Sequence, residues 1–388
     1  MARILTPREL LERLVAFPTV SRDSNLPLVD WVQDYLEGHG IGVTRVPDAT
    51  GAKASLYAHA GPACAGAILL SGHSDVVPVD GQHWTTDPWR LSEREGRLYG
   101  RGTCDMKGFD ALALWALVEA QRRGVSRPLQ FALSHDEEVG CLGAPEMIAH
   151  MAAHDFPRAQ AVIVGEPSMM QVVTGHKGSM GFDLHFRGYE VHSSIPHKGV
   201  SAIMEAARLI GWANRINDEN AAHAPQGADT HFDPPWTTLH VGEIRGGTAH
   251  NITAAECRLL LDFRCVPGDT LEGWRDALAE EVRHLADAMQ AVRPEAGIEM
   301  TESFMLPALR PEENGAAEAL ARRLTGDNAV HVVSYGTEAG QFQDGGFSVV
   351  VCGPGSIAQA HQPDEYLSLD QFHAGQALME RLLVELQA

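Results

Sequence analysis

Residues 129–143 read LQFALSHDEEVGCLG. Leu129, Phe131, Ala132 and Leu133 make a short apolar run broken only by Gln130. A run of this length, bounded by polar residues, fits a strand covered on both faces. Asp136, Glu137 and Glu138 then follow without a spacer. Adjacent carboxylates on a surface loop repel one another, and most acidic runs are simply solvated turns. At the exit of a buried strand the alternative is a compensating cation, because clustered buried carboxylates are costly without one.

Working outward, residues 67–70, 161–164 and 348–352 are apolar runs of the same kind. Between the first run and residue 129 lies GFDALALWALVEAQRRG, a helical pattern, and LDQFHAGQALMERLLVELQ closes the chain with another. Strands buried on both faces and alternating with helices predict an α/β domain with a mostly parallel sheet. At the N-terminus, Thr6, Pro7 and Glu9 predict a helix start with a capping box.

The middle of the chain has another period. In GFDLHFRG, Phe182, Leu184 and Phe186 alternate with polar residues, and in AECRLLLDFRC, Cys257, Leu259, Leu261, Phe263 and Cys265 share one face. Alternation by two predicts a half-covered sheet. One helix is expected with Val200, Ile203, Ala207 and Ile210 inward, and a second with Leu271, Trp274, Leu278, Val282 and Leu285 inward. Residues 177–291 therefore read as an α+β domain, ferredoxin-like in build, inserted between 1–176 and 292–388 of the α/β domain.

The 388 residues carry a net charge of -21, with 44% hydrophobic and 21% charged positions. That balance permits a large core and argues against nucleic acid or an anionic membrane surface as partner. No apolar run approaches the ~20 residues of a spanning helix. The opening MARILTPRELLERLV lacks the apolar stretch of a signal peptide. The six cysteines include no Cys-x-x-Cys pair and read as reduced thiols of a cytoplasmic protein.

Ligands of open α/β sheets gather beyond the carboxyl ends of the strands. There the runs are followed by SGHSDVVP with His73 and Asp75, by Glu137 and Glu138, by GEPS with Glu166, and by GPGSIAQAHQPDEY with His361. GRGTCDMKG adds Asp105 in a glycine-rich loop before a helix. Taken singly, each is more often a structural hydrogen-bonding group. Together they predict a site for two divalent ions, and His, Asp and Glu without Cys suit zinc, with cobalt or manganese next. Asp75, two residues past His73, is read as the carboxylate that orients the His73 imidazole.

In their order, SGHSDVVP, GRGTCDMKG, DEEVG, GEPS and AHQPDEY resemble the dinuclear zinc deacylase and carboxypeptidase superfamily over essentially the whole chain. GEPS, HKG and GPGSIAQAHQPDEYL are most similar to its acetylornithine deacetylase branch. The resemblance implies that Asp105 bridges two ions, that His73 and Glu166 complete one site, and that Glu138 and His361 complete the other. It makes Glu137 the general base. It makes His192 in YEVHSSIPHKG the oxyanion donor, ahead of His176 and His197, contributed across a homodimer of the inserted lid domain. Asn251 in GGTAHNIT and Arg264 would hold the substrate carboxylate, the alternatives being a turn residue and a surface ion pair with Asp262. In YGTEAGQF, Thr337 and Glu338 lie near the metal-bearing C-terminal segment, where Glu338 could take a distal ammonium or be a solvated loop carboxylate. The implied reaction removes the acetyl group of N(2)-acetyl-L-ornithine, a step of arginine biosynthesis. Desuccinylase, general N-acyl-amino-acid deacylase and dipeptidase activities are the alternatives. A binding protein that had lost the chemistry should lack Glu137 or a ligand, and none is missing.

Overall fold

The four apolar runs are neighbours in one sheet. In the computed structural model, which describes residues 3–387 except 155 and 224, they are Leu129–Ser134, Ala67–His73, Ala159–Pro167 and Val349–Gly353, in that spatial order. These strands run parallel to one another. Next to the parallel centre of the sheet lie antiparallel strands: Val43–Pro47 and Ala54–Ala60 on one side, Val173–His176 on the other. Parallel pairing at the centre points all four carboxyl ends the same way, so the motifs that follow them meet at one edge.

Helix Lys107–Arg123 explains the burial of that centre. Its residues from Lys107 to Ala120 are buried on every side. It packs on strands Ala67–His73 and Leu129–Ser134 and beneath helices Pro7–Val15 and Leu369–Gln387. Gly124, at φ +66°, ends it in the left-handed turn that glycine adopts without a Cβ penalty. The N-terminal capping box is formed: Glu9 N–H donates to Thr6 Oγ1 at 3.2 Å, and Thr6 N–H to Glu9 Oε2 at 2.9 Å.

The second compact unit comprises His176–Ala308 with Val332–Gly336. Its four strands lie in the order Thr238–Gly246, Glu256–Cys265, Gly178–Arg187, Gly297–Leu306, all antiparallel. Helices Ala202–Ala222 and Leu271–Val292 pack on this sheet, and the alternating residues Phe182, Leu184, Phe186, Leu259, Leu261 and Phe263 enter the core between.

Two expectations need correction here. The boundary at residue 291 cuts off the fourth strand. In that strand, GIEMTESFML, Ile298, Met300 and Met305 pack against the core and Leu306 is buried, and a bulge at Glu302/Phe304 breaks its alternation. The inner stripe of helix Ala202–Ala222 is turned in part: Val200 is buried and Ile210 packs against the core as expected, but Ile203 is 38% exposed and Ala207 is exposed, and Ala202, Ala206, Leu209 and Ala213 are buried instead. Small alanines let the helix sit close on the sheet, and weighting by side-chain size picks the wrong face.

Close packing beside Glu166 gives a test. A Cβ on Gly165 would lie 2.0 Å from Phe109 Cγ. Gly165→Ala is expected to cost about 1–3 kcal/mol by overpacking. Urea unfolding should show a lower midpoint with the slope unchanged. An unchanged midpoint would mean that Phe109 moves aside freely.

Candidate metal centre

His73 ends its strand, Glu166 sits near the end of the next, and Glu137, Glu138 and His361 lie on loops that leave two others. Asp105 precedes helix Lys107–Arg123. The sheet edge brings all six together. Asp105 Oδ1 is 3.1 Å from His73 Nε2, and its Oδ2 is 3.2 Å from His361 Nε2. Each oxygen of one carboxylate thus faces a different imidazole. His361 Nε2 is also 2.9 Å from Glu138 Oε2, and His73 Nε2 is 3.5 Å from Glu166 Oε1 and 3.9 Å from Glu137 Oε2. Among the described residues, ligand atoms of His73, Asp105 and Glu138 lie within 4.8 Å of one another, as do those of His73, Glu137 and Glu166.

The electrostatics show what the cluster lacks. Burial, reinforced by neighbouring carboxylates, pushes Glu137 up to about 8 and Glu138 to about 7. Glu166 rises well above its usual range for the same reasons. Hydrogen bonds that His361 donates to the Asp105 and Glu138 carboxylates lift it to about 10. Burial opposes a charge on His73, but Asp105, Glu137 and Glu166 outweigh it. Glu138 Oε1 and Glu166 Oε1 are buried and accept no hydrogen bond. Carboxylates packed this closely, with orphaned oxygens and two imidazoles, form a donor set suited to divalent ions.

His73 Nδ1 lies 2.9 Å from the Asp75 backbone oxygen, so it donates there and leaves Nε2 as the ligand atom. This corrects the expected role of Asp75. Its carboxylate is 3.7 Å from Nδ1, beyond a hydrogen bond. Instead Oδ1 accepts from the Glu137 amide at 3.1 Å, and Oδ2 from the Glu138 amide at 3.3 Å and the Ser21 hydroxyl at 2.7 Å. The main chain of Asp75 orients the imidazole, and its side chain holds the paired glutamates. Asp136 turns away, in left-handed backbone at φ +55°, to pair with Lys53.

Glu338 is also corrected. It is 1% exposed, and its two oxygens accept from the Ser71 hydroxyl at 2.6 Å and the Ser134 hydroxyl at 2.7 Å. A carboxylate committed in this way does not offer itself to a substrate ammonium. Thr337 is buried too and accepts from the Ala339 amide at 3.1 Å. Both are interior supports, which apolar neighbours in YGTEAGQF could have suggested.

His192, Asn251 and Arg264 belong to the second unit. His192 is exposed, and the Ser194 amide donates to its Nδ1 at 3.2 Å. Asn251 is exposed on the adjoining turn, where its carbonyl accepts from the Ser193 amide. Arg264 Nε donates to Asp262 at 2.9 Å, the ion pair weighed against its substrate role. Two residues near the centre lie inside quoted stretches of sequence without having been singled out there: Cys141 in LQFALSHDEEVGCLG and Glu365 in AHQPDEY. The Cys141 thiol donates to Glu137 Oε1 at 3.0 Å, and Glu365 accepts from the Asp105 amide at 3.1 Å.

Residues 69–385 match the model of peptidase family M20/M25/M40. The chain is 36% identical to an acetylornithine deacetylase of Myxococcus xanthus, covering 96% of each chain. It is 34% identical to an acetylornithine deacetylase of Proteus mirabilis (strain HI4320), covering 97% of this chain and 95% of that one. In fold it is similar to an M20 family metallo-carboxypeptidase from Sulfolobus solfataricus, with a TM-score of 0.80 at 17% identity over 98% of both chains.

Metal binding should be linked to pH. Free glutamate ionises near 4.5, whereas Glu137 and Glu138 in the metal-free chain hold protons to about 8 and about 7. A raised carboxyl pKa favours the folded metal-free form at low pH, and that contribution fades as pH rises through the folded value. A cation competes for the oxygens of Glu138, a ligand in the expected set. Its affinity should therefore increase with pH up to about 7, with protons released on binding. Calorimetry at about pH 6.5, in two buffers of different protonation enthalpy, measures the release. Equal heats in both buffers would show carboxylates already ionised.

Proposed function

The chain belongs to peptidase family M20/M25/M40, and we propose that it hydrolyses the amide bond of a small N-acyl amino acid, N(2)-acetyl-L-ornithine first, releasing acetate and L-ornithine for arginine biosynthesis. The observation that carries the reading is Asp105, which turns one carboxylate oxygen to each of two histidines among further buried glutamates. The acetylornithine deacetylase relatives support the substrate.

His73, Asp105 and Glu166 would hold one divalent ion, and Asp105, Glu138 and His361 a second, with zinc preferred and cobalt next. Such ions acidify bound water and polarise a carbonyl oxygen. Glu137 is the base. Its Oε1 is fixed by Cys141, and it takes a proton from the attacking water and returns it to the departing amine. Water and amide thereby become carboxylate and amine. The Ser194 amide on Nδ1 of His192 supports an N–H at Nε2, the donor for the developing oxyanion. Asp262 steadies Arg264 through Nε, which supports its terminal nitrogens, with Asn251, as the grip on the α-carboxylate. The unpaired, mostly buried cysteines support a reducing compartment, the cytoplasm. Among the described residues no helix is long and apolar enough to cross a membrane. Because Glu338 is spoken for by Ser71 and Ser134, a second reading, a broader N-acyl-amino-acid deacylase, also has support.

Self-association is proposed through the second unit. Its edge strand Thr238–Gly246 leaves Ile244 46% exposed, and the helix Ala202–Ala222 leaves Met204 64% exposed. Open edges and apolar patches invite pairing, and two-fold dimers are the commonest outcome. In such a dimer His192 would serve the partner's centre.

Glu137→Gln should lower turnover on acetylornithine by about 10²–10⁴-fold while leaving bound metal unchanged. Glu138→Ala should lose metal. The reverse pattern would exchange the two roles. Rates on acetylornithine, neutral N-acetyl amino acids, N-succinyl-diaminopimelate and dipeptides decide between the two substrate readings. Mixing Glu137→Gln with His192→Ala subunits under exchange should restore roughly a quarter of native activity, since about half the dimers are mixed and each has one complete site. No recovery would place His192 in its own chain's site.

A further inference from the structure

Arg101 and Glu365 form an ion pair with both side chains 1% exposed, Nη1 to Oε2 at 2.7 Å. Neither is a ligand in the centre described above. Burying an ion pair gains little stability over apolar residues of the same size, because desolvation offsets the attraction. What the pair touches suggests why it is there.

Glu365 Oε1 accepts from two consecutive amides, Cys104 at 2.9 Å and Asp105 at 3.1 Å. The same carboxylate therefore fixes the backbone that presents Asp105. Arg101 Nη1 also donates to the Gln362 carbonyl at 3.3 Å, and Nη2 to the Pro78 carbonyl at 3.3 Å and Gln82 Oε1 at 2.5 Å. Gln82 in turn donates through Nε2 to the His361 carbonyl at 2.9 Å. The guanidinium lies 5.1 Å from the centre of the Trp84 ring. Three loops are thus tied to one guanidinium–carboxylate pair: the one after His73, the one carrying Asp105 and the one carrying His361. Among the described residues, none of these contacts falls on an ion-binding oxygen or nitrogen itself.

We propose that Arg101 and Glu365 are positioning residues that set the separation of Asp105 and His361, and so the affinity of the ion these two share with Glu138. The proposal rests on the two-ion reading. His73 and Glu166, by contrast, are held at strand ends and depend on the pair only through Asp105. Loss of the pair should therefore weaken the His361-side ion more than the other.

The test is Co²⁺ titration of the metal-free full-length protein, followed by its visible absorption bands and by equilibrium dialysis, beside circular dichroism and thermal melting without metal. Wild type should bind two ions per chain. Glu365→Gln and Arg101→Lys should keep the native circular dichroism and bind one ion about 10–100-fold more weakly, with that ion's band altered. Gln82→Ala cuts the link to His361 at the half-buried rim without opening the core, and should weaken the same ion several-fold. It carries the test if either buried variant fails to fold. Two ions bound with wild-type affinity by the folded variants, with only the melting temperature lowered, would overturn the proposal and leave the two-ion reading standing. A wild type that binds no ion would overturn both.

Discussion

Crowded carboxylates at the end of a buried sheet are the constraint on which this structure turns. Asp105, Glu137, Glu138 and Glu166 converge where water is scarce, and the two histidines do not neutralise them. Burial raises three of these groups, whereas His361 and His73 hold Asp105 low despite its burial. The cluster is therefore divided against itself: one carboxylate is ready for charge and three resist it. A fold that keeps such a cluster gives up stability that an apolar edge would have had. The parallel centre of the sheet makes the arrangement possible, because it delivers four loops to one edge.

Support around the centre comes mostly from the main chain. Asp75 accepts two amides, Glu365 accepts two amides, and the His73 imidazole donates to a carbonyl. Amides have fixed directions relative to the backbone, so these contacts orient whole loops rather than single side chains. The interior carboxylate of Glu338 instead uses side chains, accepting from the Ser71 and Ser134 hydroxyls on two of the parallel strands.

Much of this was legible in the sequence, for identifiable reasons. Strands buried on both faces leave uninterrupted apolar runs, and the residues that follow them are the ones the sheet edge gathers. Alternation exposed the second sheet as well. Its fourth strand escaped because the acidic Glu302 and a bulge at Glu302/Phe304 interrupt its apolar alternation. The turned helix stripe escaped because alanines at 202, 206 and 213 do the close packing. Within the site, sequence distance hides partners: Glu365 and Arg101 are far apart in the chain, and only the fold shows that one answers the other. Glu338 misled because proximity to the C-terminal motif says nothing about which way a side chain faces.

The double duty of Asp75 has a consequence for how this centre can change. Its carbonyl governs the His73 ring while its carboxylate governs the two glutamates, so a shift at this one residue reaches three neighbours at once. Such a centre does not drift one ligand at a time. The smallest piece that could be moved to another scaffold intact is the whole strand end from 71 to 78, together with the turn from 135 to 143 that it grips. Variation in function would then have to enter from elsewhere on the chain, through surfaces that do not share this hinge point.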